Sequence, residues 1–274
     1  MYPYLFEGWI GDYALMPSYA IALALAFTLA YLETIRQTLR HKESPKHLEG
    51  LFAVTLLCTA VGSRLFHVLF EEPRYYLAHP LEILALWQGG FTLYGGLLVG
   101  TVGAWLFCRA KKVPPLQALD RMAPGVLLGI AIGRLGCFAA GCCWGTPTSL
   151  PWGVTYEHRH ALTPLRGMAL HPVQLYEAFW AGLLFWVLLR WAKTAPRQGS
   201  VFYVGLGGYA LGRFIFEFFR GDESRGVVPG VGVSSAQIIS LLVVAALMLV
   251  LKRQARLGDL FSSLQRALRP RTNG

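Results

Sequence analysis

Seven apolar blocks, each about as long as a bilayer is thick, divide the sequence: 15–36, 48–70, 91–110, 116–139, 174–193, 201–219 and 234–252. A helix needs roughly 20 apolar residues to cross the hydrocarbon core, where each backbone N–H and C=O must be satisfied within the segment. The blocks therefore predict an all-α polytopic membrane protein with seven transmembrane helices. Only 15% of the residues are charged and mean hydropathy is +0.45, against about a quarter charged in a soluble domain. The division that follows is a membrane domain over 1–252 and a basic tail over 253–274.

The loops orient these spans. One set of connections, with the tail, holds Arg36, Arg40, Lys42, Lys46, Arg109, Lys111, Lys112, Arg190, Lys193, Arg197, Lys252, Arg253, Arg256, Arg266, Arg269 and Arg271. The alternate connections hold only Arg74, Arg159, Arg166, Arg220 and Arg225, and Glu7 and Asp12 lead the chain. By the positive-inside rule the N-terminus faces outside and the C-terminus the cytoplasm. The net charge of +10 would suggest nucleic acid in a soluble protein. Alternating loop by loop, it is a topology signal, and no nucleic-acid partner is expected. The first apolar block follows acidic residues, so no cleavable signal peptide is read there. In the tail, Leu257, Leu260, Phe261, Leu264 and Leu268 recur near helical spacing, as in a basic helix lying on the anionic inner leaflet.

Charges inside spans are costly and point to function. Arg64, Arg121, Arg134 and Arg213 all fall within spans. Asp120 and Arg121 sit near a cytoplasmic end, where a helix cap and a snorkelling side chain explain them. The others fall in the outer half. Tyr209, Arg213 and Glu217 share one helix face by their i, i+4, i+8 spacing, and an internal Arg213–Glu217 pair is the plain structural reading. Tyr19, Tyr94, His171, Gln174, Tyr176 and Glu177 enter at the same depth, as do the Gly89-Gly90 and Gly95-Gly96 pairs. The Gly-, Pro-, Trp- and His-rich connection over 140–173 is long enough to cover a site there. Six spans thus send polar residues to one layer, the pattern of a site for an amphipathic, anionic lipid. Arginine suits its phosphate, because the planar guanidinium donates two hydrogen bonds in parallel. The five cysteines have neither disulfide nor zinc spacing. Cys58 and Cys108 read as packing residues, while Cys142 and Cys143 fit packing or reactivity equally. A metal there would need His158, His160 or His171 to converge on them, and no metal or cofactor is expected.

At Gly133-Arg134-Leu135-Gly136 the chain resembles the bacterial prolipoprotein diacylglyceryl transferase family. The likeness runs from Tyr19 through the last span. It includes Trp87-Gln88-Gly89-Gly90, Gly95-Gly96, Trp144-Gly145, His171-Pro172-Val173-Gln174-Leu175-Tyr176-Glu177 and Gly208-Tyr209 with Arg213 and Glu217-Phe218-Phe219-Arg220. The resemblance implies transfer of the diacylglyceryl group of phosphatidylglycerol to the lipobox cysteine of a prelipoprotein, at the outer face of the cytoplasmic (inner) membrane, with release of glycerol phosphate. It implies that Arg134 and Arg213 hold the lipid phosphate, and that Tyr19, Gly145, Tyr209 and Glu217 occupy positions the family uses. Arg64, Cys137, His171 and Gln174 join them as expected substrate-binding residues by depth and motif. Tyr94 and Cys142 join the two arginines as candidate catalytic residues.

The departures from the family's pattern lie near the chemistry. Tyr94 stands where the family has the His that is its usual candidate base, and a phenol with a pKa near 10 is a poor base at neutral pH. After Gly136, three polar family positions are Cys137, Ala140 and Cys142. Three readings follow: a transferase with a variant site, a lipid-modifying enzyme using its own thiol on another acceptor, or a phospholipid-binding protein without chemistry.

Overall fold

The computed structural model describes residues 4–5, 16–85, 89–158, 161–194, 197–222 and 232–268, with 4–5, 16–17 and 253–268 described by backbone alone. Trp87, Gln88, Arg159, His160 and Arg225 lie outside the described residues, as do Glu7, Asp12 and the side chains of the tail.

The apolar blocks form long helices: α1 Ser18–Arg40, α2 Leu48–Phe66, α4 Leu93–Ala110, α5 Pro115–Ala140, α6 Val173–Trp191, α7 Ser200–Phe216 and α8 Ser235–Leu268. Among the described residues, six of them are long and apolar enough to cross a membrane. The exception is α7, whose α-helical part is 17 residues before Glu217–Phe219 tightens into a 3₁₀ turn. A short α3, Pro73–Ala78, and a 3₁₀ turn, Pro80–Leu84, fill the connection after α2. The tail continues α8 without a break as far as Leu268. Two small antiparallel ribbons complete the chain: β1 Tyr4–Leu5 with β2 Met16–Pro17, and β3 Val154–Thr155 with β4 Ala169–Leu170.

Small residues decide which helices meet. Lipid offers no hydrophobic drive between helices, so close backbone approach must supply the packing. On α4, a Cβ at Gly95 would sit 2.4 Å from the Gly62 carbonyl of α2. On α5, a Cβ at Gly125 would sit 2.5 Å from the Ala30 carbonyl of α1. These contacts make α2–α4 and α1–α5 tight pairs; α5 also packs on α6, α6 on α7, and α7 on α8. Cys58 packs against Gly103 in the first pair, and Cys108 is 1% exposed in an apolar cluster with Leu51 and Met122.

Asp120 caps a helix, but not its own. Its carboxylate accepts from the backbone N–H of Gly199 at 2.6 Å and of Phe202 at 2.8 Å, closing the first turn of α7 from α5. Its neighbour Arg121 pairs with Glu43 at 2.5 Å. Both residues are thus tied to other elements at the end of the bundle opposite the site.

Candidate active site

Between the α1–α5 and α2–α4 pairs lies a cavity of about 740 Å³, with α7 and α8 closing its far side. Its walls run from Arg134 down α5 to Leu119, about 22 Å at 1.5 Å rise per residue. The lower walls are apolar, with Leu23, Phe27, Phe52, Leu97, Met122 and Leu206 among them. The upper end is polar: Arg134, Arg213, Glu217, Arg220, Asp222 and His67 line it. A slot with a charged head and an apolar body matches a phospholipid in shape and polarity.

The polar end is an alternating ladder of charge. Glu177, on the second turn of α6, pairs through one oxygen with Arg134 Nε of α5 and through the other with Arg213 Nη1 of α7. Arg213 Nη2 meets Glu217 at 2.7 Å, Arg220 Nη1 lies 3.9 Å from the same carboxylate, and Arg220 Nε donates to Asp222 at 2.8 Å. Three guanidiniums and three carboxylates therefore balance, all of them in side chains no more than 11% exposed. The Arg213–Glu217 pair expected from their spacing is present, but it is one rung of a ladder joining three helices. Glu177 is 4% exposed and sits behind the cavity wall, whereas Arg134 and Arg213 reach it. The carboxylate thus orients two forks toward the cavity.

Arg64 is spent differently. Its guanidinium donates to the carbonyls of Ile83 (3.0 Å), Gly89 (2.5 Å), Gly90 (3.3 Å), Glu82 (2.5 Å) and Ala85 (3.3 Å), and lies 5.1 Å over the Tyr76 ring. All three nitrogens are engaged by backbone, so its geometry is that of a clasp holding 82–85 and 89–90 against α2. One turn on, α2 loosens into a π-helical turn over His67–Glu71. This places Nδ1 of His67 2.6 Å from the Glu71 carboxylate, and both side chains line the cavity. A Cβ on Gly90 would lie 2.6 Å from His67 Nε2, so the glycine makes room for the imidazole edge.

Tyr94 is 3% exposed on the cavity wall. Ser240 donates its proton to the Ala236 carbonyl at 2.7 Å, which leaves Tyr94 as the donor in the 2.5 Å Tyr94–Ser240 bond. The ring of Tyr94 stands 6.1 Å from that of Tyr209. Tyr209 is 5% exposed, lines the cavity and feels the charges of Arg134, Glu177 and Arg213. Tyr19, at the first turn of α1, is 41% exposed and guards the cavity beside Gly136.

The remaining residues shape the connection after α5. Gly141 ends that helix in the left-handed region at φ 74°, and the Cys142 N–H returns to the Cys137 carbonyl at 3.2 Å. The turn gathers the sulfurs of Cys137, Cys142 and Cys143 within 4.8 Å of one another. Gln174, 1% exposed, pins it by donating to the Cys142 carbonyl at 2.6 Å and to the Tyr156 hydroxyl at 3.1 Å. Hydrogen bonds from Cys137, then Cys142, hold the Cys143 thiol well below the usual thiol range, with Arg220 and Arg134 assisting against its burial. The same sulfur contacts, with Cys137 first, push Cys142 up. Gly145 admits His171, whose carbonyl would lie 2.4 Å from a Cβ there. The His171 ring contacts Phe219 and its Nδ1 lies 3.2 Å from the Tyr176 hydroxyl.

The sequence-predicted residues Arg64, Arg134, Arg213, Glu217, Tyr94, Tyr209, Tyr19 and Cys137 all line this cavity, Arg64 with its nitrogens turned to backbone carbonyls. Cys142, Gly145 and His171, in the connection after α5, and Gln174, on the first turn of α6, stand behind its wall. Glu177, His67, Glu71, Arg220 and Asp222 were not singled out as site residues. A carboxylate four residues from a histidine at the end of an apolar block was the available signal for His67 and Glu71.

The model of the prolipoprotein diacylglyceryl transferase family matches residues 9–252. A phosphatidylglycerol–prolipoprotein diacylglyceryl transferase of Ruegeria pomeroyi is 37% identical over 261 residues, covering 87% of this chain and 88% of the relative. Proteins of the same name from Polaromonas naphthalenivorans and Bordetella avium are 36% and 39% identical, covering 84% and 81% of this chain and 86% and 84% of the relatives. The family match includes the α5 segment that carries Arg134 and the α7 segment that carries Arg213. With the paired arginines at the head of a lipid-shaped cavity, they make the chain a member of the prolipoprotein diacylglyceryl transferase family.

Proposed function

We propose that this protein transfers the diacylglyceryl group of phosphatidylglycerol to the lipobox cysteine of a prelipoprotein, at the outer face of the bacterial inner membrane. The observation that carries the reading is the pair of guanidiniums, Arg134 and Arg213, oriented by Glu177 at the polar head of an otherwise apolar cavity. The acyl chains lie along the apolar walls and the phosphate lies against the arginines. As the glyceryl C–O bond breaks, the departing phosphate gains charge, which fixed donors stabilise more strongly than they stabilise the intact lipid. The acceptor thiol gives up its proton to His67 Nε2, which hydrogen bonding of Nδ1 to Glu71 leaves as the accepting nitrogen. Tyr94, already donating to Ser240, holds the wall between the lipid and α8.

The assay is direct: purified protein, phosphatidylglycerol and a lipobox peptide, with release of glycerol phosphate and gain of the diacylglyceryl mass on the peptide. Peptide modification is the expected result; lipid binding without either product would make this a lipid-binding protein.

The seven-span arrangement is part of the same reading. The 3₁₀ turn after α7 extends that helix toward the length a span requires. The N-terminus and the 140–173 connection face outside, and the helix continuing α8 carries the basic tail into the cytoplasm. In cells with single engineered cysteines in an otherwise cysteine-free chain, an impermeant thiol reagent should label His160→Cys and spare Asn273→Cys. Labelling of the second alone would invert the topology and put the cavity head on the wrong face.

A further inference from the structure

We propose that Cys137, Cys142 and Cys143 form a three-thiolate site for zinc, with a fourth position open to the cavity where the acceptor thiol binds as thiolate. The proposal rests on the transferase reading for its chemistry, though not for the existence of the site.

The three sulfurs lie within 4.8 Å of one another. Tetrahedral zinc with sulfur at 2.3 Å sets them roughly 3.8 Å apart, a contraction that side-chain rotation supplies. The backbone is arranged for this gathering. Cys137 opens the last turn of α5, Gly141 reverses the chain, and Cys143 takes φ 57°, a left-handed conformation that residues with a Cβ disfavour. Gln174 then fixes the turn through the Cys142 carbonyl.

The donor set selects the metal. Among the described residues the cluster holds only sulfur ligands, which suit zinc and other soft cations and reject magnesium and calcium. Three thiolates around a divalent ion leave one net negative charge, and Arg220 and Arg134 line the same cavity as Cys137 and Cys143. Three protein ligands with an open position are the pattern of a catalytic rather than a structural zinc site.

The position fits the reaction. Cys137 and Cys143 line the same cavity as Arg134 and Arg213, so the open position faces the place where the phosphate is held. A thiol that coordinates zinc is deprotonated outright, and its proton passes to His67. The bound thiolate attacks the glyceryl carbon and a C–S bond forms. The C–O bond to phosphate breaks with its electron pair on oxygen, and glycerol phosphate leaves with both electrons. No oxidant or reductant is consumed. The product thioether is a weaker ligand than the thiolate, so it leaves the metal and the site is free for the next peptide. Thus the metal performs the activation for which the phenol of Tyr94 is unsuited.

The test is metal analysis of the full-length protein purified in detergent with zinc present. About one zinc per chain should survive dialysis. Cobalt(II) in its place should give sulfur-to-cobalt charge-transfer absorption in the near ultraviolet, and this should shift when a lipobox peptide is added and not when its Cys→Ser form is added. Cys137→Ser, Cys142→Ser and Cys143→Ser should each lower metal retention at least tenfold, whereas Cys58→Ser and Cys108→Ser should retain it. If the variants fail to fold, the cobalt spectrum of the unaltered protein alone decides. Absence of the sulfur-to-cobalt band, or a spectrum indifferent to the thiol peptide, overturns the proposal. Transfer at full rate by chelator-treated, zinc-free protein also overturns it and leaves the transferase reading intact. Zinc bound with the peptide-sensitive spectrum but no transfer keeps the site and overturns the transferase reading.

Discussion

Replacing Glu177 by Gln should lower kcat/KM for phosphatidylglycerol at least a hundredfold and lower the melting temperature as well. The carboxylate is 4% exposed and pairs with guanidiniums from two other helices. Removing one member of a buried ionic cluster leaves uncompensated charge in a low-dielectric interior, at a cost of about 3–5 kcal/mol. Here part of that cost appears as instability and part as disorder of the arginine forks. A hundredfold fall corresponds to about 2.8 kcal/mol, just below that range, which leaves the remainder to appear as lost stability. Glutamine preserves shape and one acceptor, so the folded fraction is large enough for kinetics. Rate and melting temperature both near wild type would mean that Arg134 and Arg213 are positioned by something other than Glu177.

Arg134→Ala should lose at least as much: about 10²- to 10³-fold in kcat/KM, with a fall in melting temperature too, because it removes another member of the same buried cluster. The phosphate of a bound lipid is partly desolvated, and loss of a charged hydrogen-bonding partner from such a group costs on the order of 2–5 kcal/mol. Arg134→Lys should recover only part of the rate, because the ammonium keeps the charge and loses the two-pronged donor. Arg64→Ala is the informative contrast. The five carbonyl bonds of Arg64 make it a support for the segment before α4, so its loss should appear first in stability. Kinetics in which lysine at 134 equals arginine would show that the site needs charge there and not the fork.

The spans were legible because bilayer thickness leaves so few solutions for a long apolar block. The short α3 and the turns beside it were not, since nothing in a mixed polar segment such as 72–85 has a length set by the membrane. The arginines stood out by their cost in hydrocarbon, yet the sequence could not sort them. Arg64 and Arg134 look alike as charges in spans; what separates them is that the carbonyls of Glu82, Ile83, Ala85, Gly89 and Gly90 fold back over one and a carboxylate on α6 meets the other. Glu217 was visible as a partner for Arg213 by helical spacing. Glu177 was not, because its pairing depends on how α6 packs between α5 and α7, a long-range fact. The gathering of the cysteines was hidden for a local reason. Their spacing fits no familiar zinc pattern, but a helix end followed by a left-handed glycine brings Cys142 and Cys143 back beside Cys137.

The balance of charge in the ladder of Arg134, Glu177, Arg213, Glu217, Arg220 and Asp222 bears on turnover. A phospholipid brings one negative charge to the cavity, but the glycerol phosphate that departs carries closer to two at neutral pH. Three unopposed arginines would hold that product more tightly than the substrate and stall the cycle in its last step. With carboxylates already satisfying the guanidiniums, the leaving group meets partners that can turn back to their own counter-ions. In the proposed reaction, the same acidic residues that aim the arginines thus also ease release of the product.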